Sequence, residues 1–316
     1  MAIPFLLRSA RIIVLTPVAL VVFLPAAAIG SPRAPVILRW YLAASGGVFV
    51  KVGQFLAMRY DLLPAAWCRE LSKLLDQLPP VPLARLLPAI ERDIGGPVER
   101  SFPSIEPVPI GSASLAQVHL ALLPSGDRVV IKVKRPNTDS DFRTDLFYLG
   151  ALARVLAWLP FLNPGLPAVL DEVVHLTRVE LDFRREARNI TEMQALMAND
   201  AIDHRAPRLI PELCGSSTIT MEYLPGVSIS DMLEALDADD RPRLDRWSRE
   251  GITPRRAARL ILRSVLEQTM HHRVFHADPH ASNLILMPGG TLGWVDFGVL
   301  GWLDERLWQQ DRKSVV

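Results

Sequence analysis

The longest uninterrupted apolar pattern lies near the start of the chain. No charged side chain occurs between Arg11 and Arg33, in IIVLTPVALVVFLPAAAIGSP. A run of that length is close to what a bilayer-spanning helix requires. Pro17 and Pro25 predict kinks. Arg8 and Arg11 ahead of the run suit a cytoplasmic N-terminus, and Arg33 close behind weakens that bias. Ala26, Ala27 and Ala28 end it as a signal-peptide cleavage site would. A buried or interfacial helix fits the same hydropathy. From Arg39 to Lys73, Val50, Phe55, Leu56, Leu62 and Leu63 recur at three- and four-residue spacing, which predicts helix. Pro64, Pro79, Pro80 and Pro82 punctuate it. VPLARLLPAIERDIGG, Val81 to Gly96, reads as one more helix stopped by Gly95-Gly96.

The period then changes. VPIGSASLAQVHLALLPSGDRVVIKVKRP alternates and carries a Pro-Ser-Gly-Asp turn at 124–127, which predicts a β-hairpin with RVVIKVK as its second strand. Helix follows from about Asp139 to Asn199, broken near LPFLNPGLP. Two short strands are expected to frame Glu212 to Met221, ahead of EYLPG, and helices resume to about His272. LILM and TLGWVDFG predict two more strands about a turn at Pro288-Gly289-Gly290.

Composition narrows the classes. The 316 residues suffice for one large or two small domains, and 49% apolar with 22% charged residues excludes global disorder. A net charge of +1 gives no reason to expect a nucleic-acid partner. Cys68 and Cys214 offer neither metal spacing nor a disulfide framework and suit a reduced compartment.

The chemistry concentrates late in the chain. Asp278, Asn283 and Asp296 stand in an otherwise apolar segment, as His-x-Asp-x4-Asn and then Asp-Phe-Gly. Hard oxygen ligands in this order are the pattern of phosphoryl transfer, with Asp278 facing the acceptor and Asn283 and Asp296 holding Mg²⁺ on ATP. Lys132 on its strand is the candidate cation for the α- and β-phosphates. Asp182 and Glu186 share a helix face, and either is placed to pair with it. His271, His272, His276 and His280 lack acid or cysteine partners at metal spacing and read as structural or loop residues.

Together these pieces resemble the UbiB/ADCK family of atypical protein-kinase-like proteins, which support ubiquinone and other prenyl-lipid biosynthesis. The likeness covers roughly Val48 to Trp302. VFVKVGQFLAMRYDLLP is similar to the family's Lys-x-Gly-Gln helix, with Lys51, Gly53 and Gln54 in register. PIGSASLAQVH is similar to its alanine-rich loop, ELDFRREA to its Glu-x-Asp element, and FHADPHASN with VDFG to its catalytic loop and metal motif. The resemblance implies an α+β fold: a bilobal protein-kinase-like fold with an N-terminal helical extension and a truncated C-lobe. It divides the chain into an apolar segment (1–38), a helical extension (39–100), an N-lobe with a helical insertion (101–225) and a partial C-lobe (226–316). It implies catalytic roles for Asp278, Lys132 and Glu186, the last paired with Lys132. It implies nucleotide contacts from Gly111, Ser112, Ala113, Ser114, Lys132, Glu222 and Tyr223, Mg²⁺ ligands in Asn283 and Asp296, and regulatory roles for Lys51, Gly53, Gln54, Glu180 and Asp182. The Lys51 helix is expected to pack across the protein-substrate site. The implied protein is a membrane-associated ATPase or kinase with its catalytic part in the cytoplasm or a matrix-like compartment. Its implied partners are ATP, a membrane lipid or prenyl-quinone precursor, and a lipid-biosynthesis protein complex.

Three departures qualify the pattern. Gly111 stands where alanine is usual and is expected to move nucleotide selectivity toward ordinary kinase behaviour. Ala281-Ser282 replaces Pro-Gly without altering the spacing. The chain ends 18 residues after Gly298, so an uncovered apolar C-lobe surface is expected. Two other readings remain: a small-molecule phosphotransferase of the aminoglycoside or choline kinase type, and a catalytically silent nucleotide-binding scaffold.

Overall fold

The computed structural model describes residues 2–75, 80–157 and 166–305. Helices α1 (Ala2–Ala28), α2 (Ala34–Ser45), α3 (Val48–Ala57) and α4 (Ala65–Leu71) come first, then α5 (Leu87–Ile94) and the single turn α6 (Val98–Ser101). Strands β1 (Ser104–Ile105), β2 (Gly111–Ser112), β3 (Ala116–Leu122) and β4 (Arg128–Lys134) follow, with α7 (Thr138–Ala157), α8 (Leu166–Glu180) and α9 (Phe183–Met197) after them. The remainder holds β5 (His204–Arg205), β6 (Thr218–Glu222), β7 (Val227–Ser228), α10 (Ile229–Asp237), α11 (Arg241–Arg249), α12 (Pro254–Glu267), β8 (Val274–His276), β9 (Leu284–Leu286), β10 (Leu292–Trp294) and β11 (Leu300–Trp302). One sheet has the order β1-β3-β4-β6 with β2 beside β3, a second β5-β10-β9-β7, and a third pairs β11 with β8.

The chain forms two compact units. One contains Met1–Ala89, Pro107–Val118 and Val133–Leu181, the other Ile90–Glu106, His119–Lys132 and Asp182–Val316.

In the first unit α1 is one helix despite Pro17 and Pro25. One face of it is docked. Ser9, Ile12 and Ala19 are buried, Thr16 shares a 2.9 Å hydrogen bond with Tyr41, and Phe23 meets Trp67 edge-on. These positions recur every three or four residues, the spacing of one helix face. Arg8 fixes the start by giving two hydrogen bonds, 2.7 and 2.6 Å, to Asp145 on α7. Asp145 is fully buried and also accepts the Val48 backbone N–H at 3.0 Å. The turn between α2 and α3 reaches this anchor through Gly46 and Gly47, both at positive φ. A Cβ on Gly47 would strike the Asp145 carboxylate and come within 2.7 Å of Arg8.

In the second unit α9 buries Phe183, Glu186, Asn189, Ile190, Met193 and Met197 at helical spacing. Trp294, Phe297, Ile131 and Ile219 of the same unit are fully buried.

Both predicted hairpins form. The first turns at 124–127, where the Leu123 N–H meets the Asp127 carbonyl at 2.9 Å. The second pairs Leu284 with Trp294 and Leu286 with Leu292. Two expectations need correction. Val81–Gly96 is not one helix: a 3₁₀ turn at Leu83–Arg85 precedes α5, whose first turn tolerates Pro88. Glu212 lies in a 3₁₀ turn, Pro211–Leu213, so only β6 supplies a strand in the expected pair. The expected break near LPFLNPGLP falls largely outside the described residues, as does the chain beyond Glu305.

Candidate functional site

The second unit gathers the charged centre. Lys132, from the middle of β4, directs its ammonium to Glu186 Oε1 at 2.6 Å and Asp296 Oδ1 at 2.9 Å. The Phe183 ring lies 5.6 Å from the same nitrogen. Asp182 caps α9 by accepting the Arg185 N–H at 3.0 Å, which sets the helix start and points Glu186, one turn on, inward. This resolves the choice of partner: Glu186 pairs with Lys132 and Asp182 is a helix cap. Lys132 and Glu186 are 13% and 2% exposed, Asp296 47%.

Two carboxylates around one ammonium separate in acidity. Burial pushes the Glu186 carboxyl up, Lys132 opposes and Asp296 adds, with the result at about 7. Loss of water also works against the Asp296 charge, but Lys132 outweighs it and holds Asp296 at about 2. Lys132 loses stabilisation to burial and regains more from Asp296 and Glu186, so it stays charged.

The Asp-Phe-Gly segment is held in an uncommon backbone shape. Asp296 has φ of 63°, the left-handed region that a non-glycine residue enters only when its surroundings require it. Two side chains impose it. Asn189, three residues beyond Glu186, donates to the Phe297 carbonyl at 2.8 Å. The His276 Nδ1 accepts the Asp278 N–H at 3.2 Å, so its Nε2 carries the proton and donates to the Asp296 carbonyl at 2.7 Å. Burial lowers the pKa of His276 and favours the neutral ring, as that arrangement needs. Sequence reasoning missed Asn189 and treated His276 as incidental. Asn189's only signal was its helical register with Glu186.

Asn283 and Asp296 sit just beyond the paired ends of β9 and β10, with the Val295 N–H on the Asn283 carbonyl at 2.9 Å. The buried Asn283 amide donates to the Asp278 carbonyl at 3.1 Å, which leaves Oδ1 as its acceptor atom. Lys132 and the Gly298 N–H both fall on Asp296 Oδ1. Asp278 is 59% exposed, with His280 3.7 Å away. Asn283 Oδ1 and the Asp296 carboxylate, the latter beside the Lys132 ammonium, are hard oxygen donors of the kind that Mg²⁺ takes together with phosphate oxygens.

The other expected residues have separate partners. Glu222 holds Arg205 and accepts the Arg208 N–H at 3.1 Å. Tyr223 lies under the Arg128 guanidinium at 4.4 Å. In the first unit, Gly111 and Ser112 pair with Val118 and Gln117 across the β2–β3 ladder. The Ser112 hydroxyl accepts from Arg135 at 2.7 Å, and the Ala113 N–H meets the Ala116 carbonyl at 2.9 Å. Ser114 follows in that turn. Lys51 forms an ion pair with Glu180, and Gln54 donates to the Leu74 carbonyl at 2.8 Å. Gly53 packs where a Cβ would lie 3.0 Å from Leu42.

Comparison with known proteins gives a consistent set. The model of the ABC1 atypical kinase-like domain matches residues 73–315. The chain is 35% identical over 278 residues to ACTIVITY OF BC1 COMPLEX KINASE 8, a chloroplastic protein of Arabidopsis thaliana, covering 85% of this chain and 35% of that one. It is 31% identical over 286 residues to an uncharacterised protein of Synechocystis sp., covering 88% of this chain and 68% of the relative. Among solved structures it resembles Rv3197 of Mycobacterium tuberculosis in complex with erythromycin, with a TM-score of 0.55, 25% identity, and 81% of this chain and 62% of that chain covered. The chain thus spans about a third of the Arabidopsis relative's length. The kinase-like α+β fold follows from these matches.

Proposed function

Because the chain belongs to the ABC1 atypical kinase-like family, we propose that it binds ATP with Mg²⁺ and transfers or hydrolyses the terminal phosphoryl group at a membrane surface, in support of ubiquinone or related prenyl-lipid biosynthesis. The observation that carries this reading is Lys132 held between Glu186 and Asp296.

In this reading Lys132 binds the α- and β-phosphates and Glu186 keeps its ammonium aimed. Asn283 Oδ1 and Asp296 hold the metal. The exposed Asp278 orients the acceptor hydroxyl or water and takes its proton. Neutral His276 keeps the Asp278 and Asp296 backbones in register through both ring nitrogens. Mg²⁺ with ATP, when bound, supplies the phosphoryl group and offsets the charge that develops on it. Gly111, Ser112, Ala113, Ser114, Glu222 and Tyr223 complete the proposed nucleotide contacts. The Lys51–Glu180 pair, with Gly53, Gln54 and Asp182, is the proposed regulatory element.

Support for the membrane comes from α1. Its docked face leaves Val14, Val18 and Val21 outward, 63%, 53% and 74% exposed. A helix held along one side by Arg8, Thr16 and Phe23 suits lying in a bilayer interface more than crossing it.

The test is ATP hydrolysis by the full chain with Mg²⁺, with and without anionic-lipid vesicles, beside Asp296→Asn. Turnover that lipid stimulates and the variant lacks supports the reading. Nucleotide binding without turnover would replace it with the scaffold. Erythromycin in the Mycobacterium tuberculosis neighbour supports a second reading, a small-molecule acceptor. Turnover stimulated by a macrolide and indifferent to vesicles would favour that one.

A further inference from the structure

Behind the His276 strand, the second unit contains a polar cluster that the phosphoryl-transfer reading does not use. The Asp200 carboxylate, 3% exposed, meets His204 Nε2 through Oδ2 and His272 Nε2 through Oδ1, each at 2.7 Å. Ligand atoms of Asp200, Glu267 and His272 all lie within 4.8 Å of one another.

Glu267 and His272 meet because the helix changes pitch between them. In an α-helix residues five apart point about 140° away from each other. Here α12 ends in a π-helical turn, Gln268–His272, whose wider i→i+5 closure swings His272 back over Glu267. Such turns cost regularity and recur at functional sites.

The cluster also has an ordered outer layer. The Ser264 hydroxyl accepts Trp294 Nε1–H at 3.0 Å and Gln268 Nε2–H at 3.0 Å. Both lone pairs are then used, so its proton goes to His204 Nδ1, 2.6 Å away. His204 is left with its hydrogen on Nε2 and donates it to Asp200 Oδ2. That bond orients the carboxylate and leaves Oδ1 toward His272, as outer groups orient metal-binding carboxylates.

We propose that Asp200, Glu267 and His272 form a divalent transition-metal site of zinc type, with His204 as the group that orients Asp200. One imidazole nitrogen and two carboxylate oxygens with an open fourth position is a donor set zinc accepts. Tetrahedral zinc needs ligand atoms roughly 3.3–3.5 Å apart. Asp200 and His272 would separate slightly from their present hydrogen bond while Glu267 closes in. His272 and Glu267 are 17% and 26% exposed, which provides an entry path. The site communicates with the catalytic segment, because Gln268 Oε1 accepts the His276 N–H at 2.9 Å. Binding there would brace the π turn under β8, the strand that leads into Asp278.

The test is calorimetric titration of the chelator-stripped full chain with Zn²⁺, beside His272→Gln, Glu267→Gln and Asp296→Asn. The expected result is one tight equivalent. Each of the first two variants weakens it at least tenfold, and Asp296→Asn, which alters the proposed Mg²⁺ ligand, leaves it intact. A rise in Tm with Zn²⁺ that both variants abolish is the second readout. Weak binding alone, or tight binding unchanged in folded His272→Gln and Glu267→Gln, would overturn the proposal and leave a hydrogen-bonded structural cluster.

Discussion

Replacing Glu186 by glutamine is expected to change how stability depends on pH. The Glu186 side chain is 2% exposed, and its carboxyl is pushed from 4.5 up to about 7. The folded state therefore holds this proton more tightly than the unfolded chain does. The stabilisation is complete below pH 4.5 and is lost as pH rises through about 7. At 1.36 kcal/mol for each tenfold change, the interval amounts to about 3 kcal/mol. Asp296 is nearly half exposed and water screens its share, so about 2–3 kcal/mol is the figure to expect. Glutamine keeps the shape and has no proton to lose. Urea unfolding of both proteins should show the variant gaining on the wild type by that amount between pH 4.5 and about pH 8. A difference that stays constant within about 0.5 kcal/mol over this range would refute the coupled-triad account.

Three further expectations use other contacts. Arg8→Ala strands the fully buried Asp145 and should cost about 3–5 kcal/mol, while Arg8→Ala with Asp145→Asn recovers part of it in the same unfolding assay. Asn189→Ala leaves the buried Phe297 carbonyl without its donor; a loss of about 1–3 kcal/mol and weaker Mg²⁺-dependent nucleotide binding should appear together by calorimetry. Gly111→Ala should leave Tm unchanged, because its Cβ would meet Val118 only at 3.8 Å, yet shift ATP affinity; unchanged affinity removes the proposed selectivity role.

The sequence revealed those parts of the site that depend on neighbours along the chain. The Pro-Ser-Gly-Asp and Pro-Gly-Gly turns announced both hairpins, and the alternation of RVVIKVK put Lys132 on a strand. Its partner Glu186 lies 54 residues away, so spacing left Asp182 equally eligible until the helix cap was seen. Asn189 was invisible because its partner is a backbone carbonyl 108 residues distant, which no side-chain pattern encodes. His272 was dismissed for want of an acidic partner; Asp200 supplies one from 72 residues upstream. Pro17 and Pro25 lie inside α1, and the helix runs on through both. Its packed face supplies contacts that helical propensity alone does not register.

The Asn283 amide has a consequence for chemical ageing. Its NH₂ group is committed to the Asp278 carbonyl, so the residue serves as donor on one side and acceptor on the other. Deamidation to aspartate would alter a single atom group and add a charge that a metal ordinarily welcomes. It would also set a carboxylate oxygen against a carbonyl oxygen and push apart the loop carrying Asp278. A preparation that ages in this way would retain its fold and lose the Mg²⁺-dependent nucleotide binding proposed for this site, with a mass gain of about 1 Da at this peptide as the visible trace.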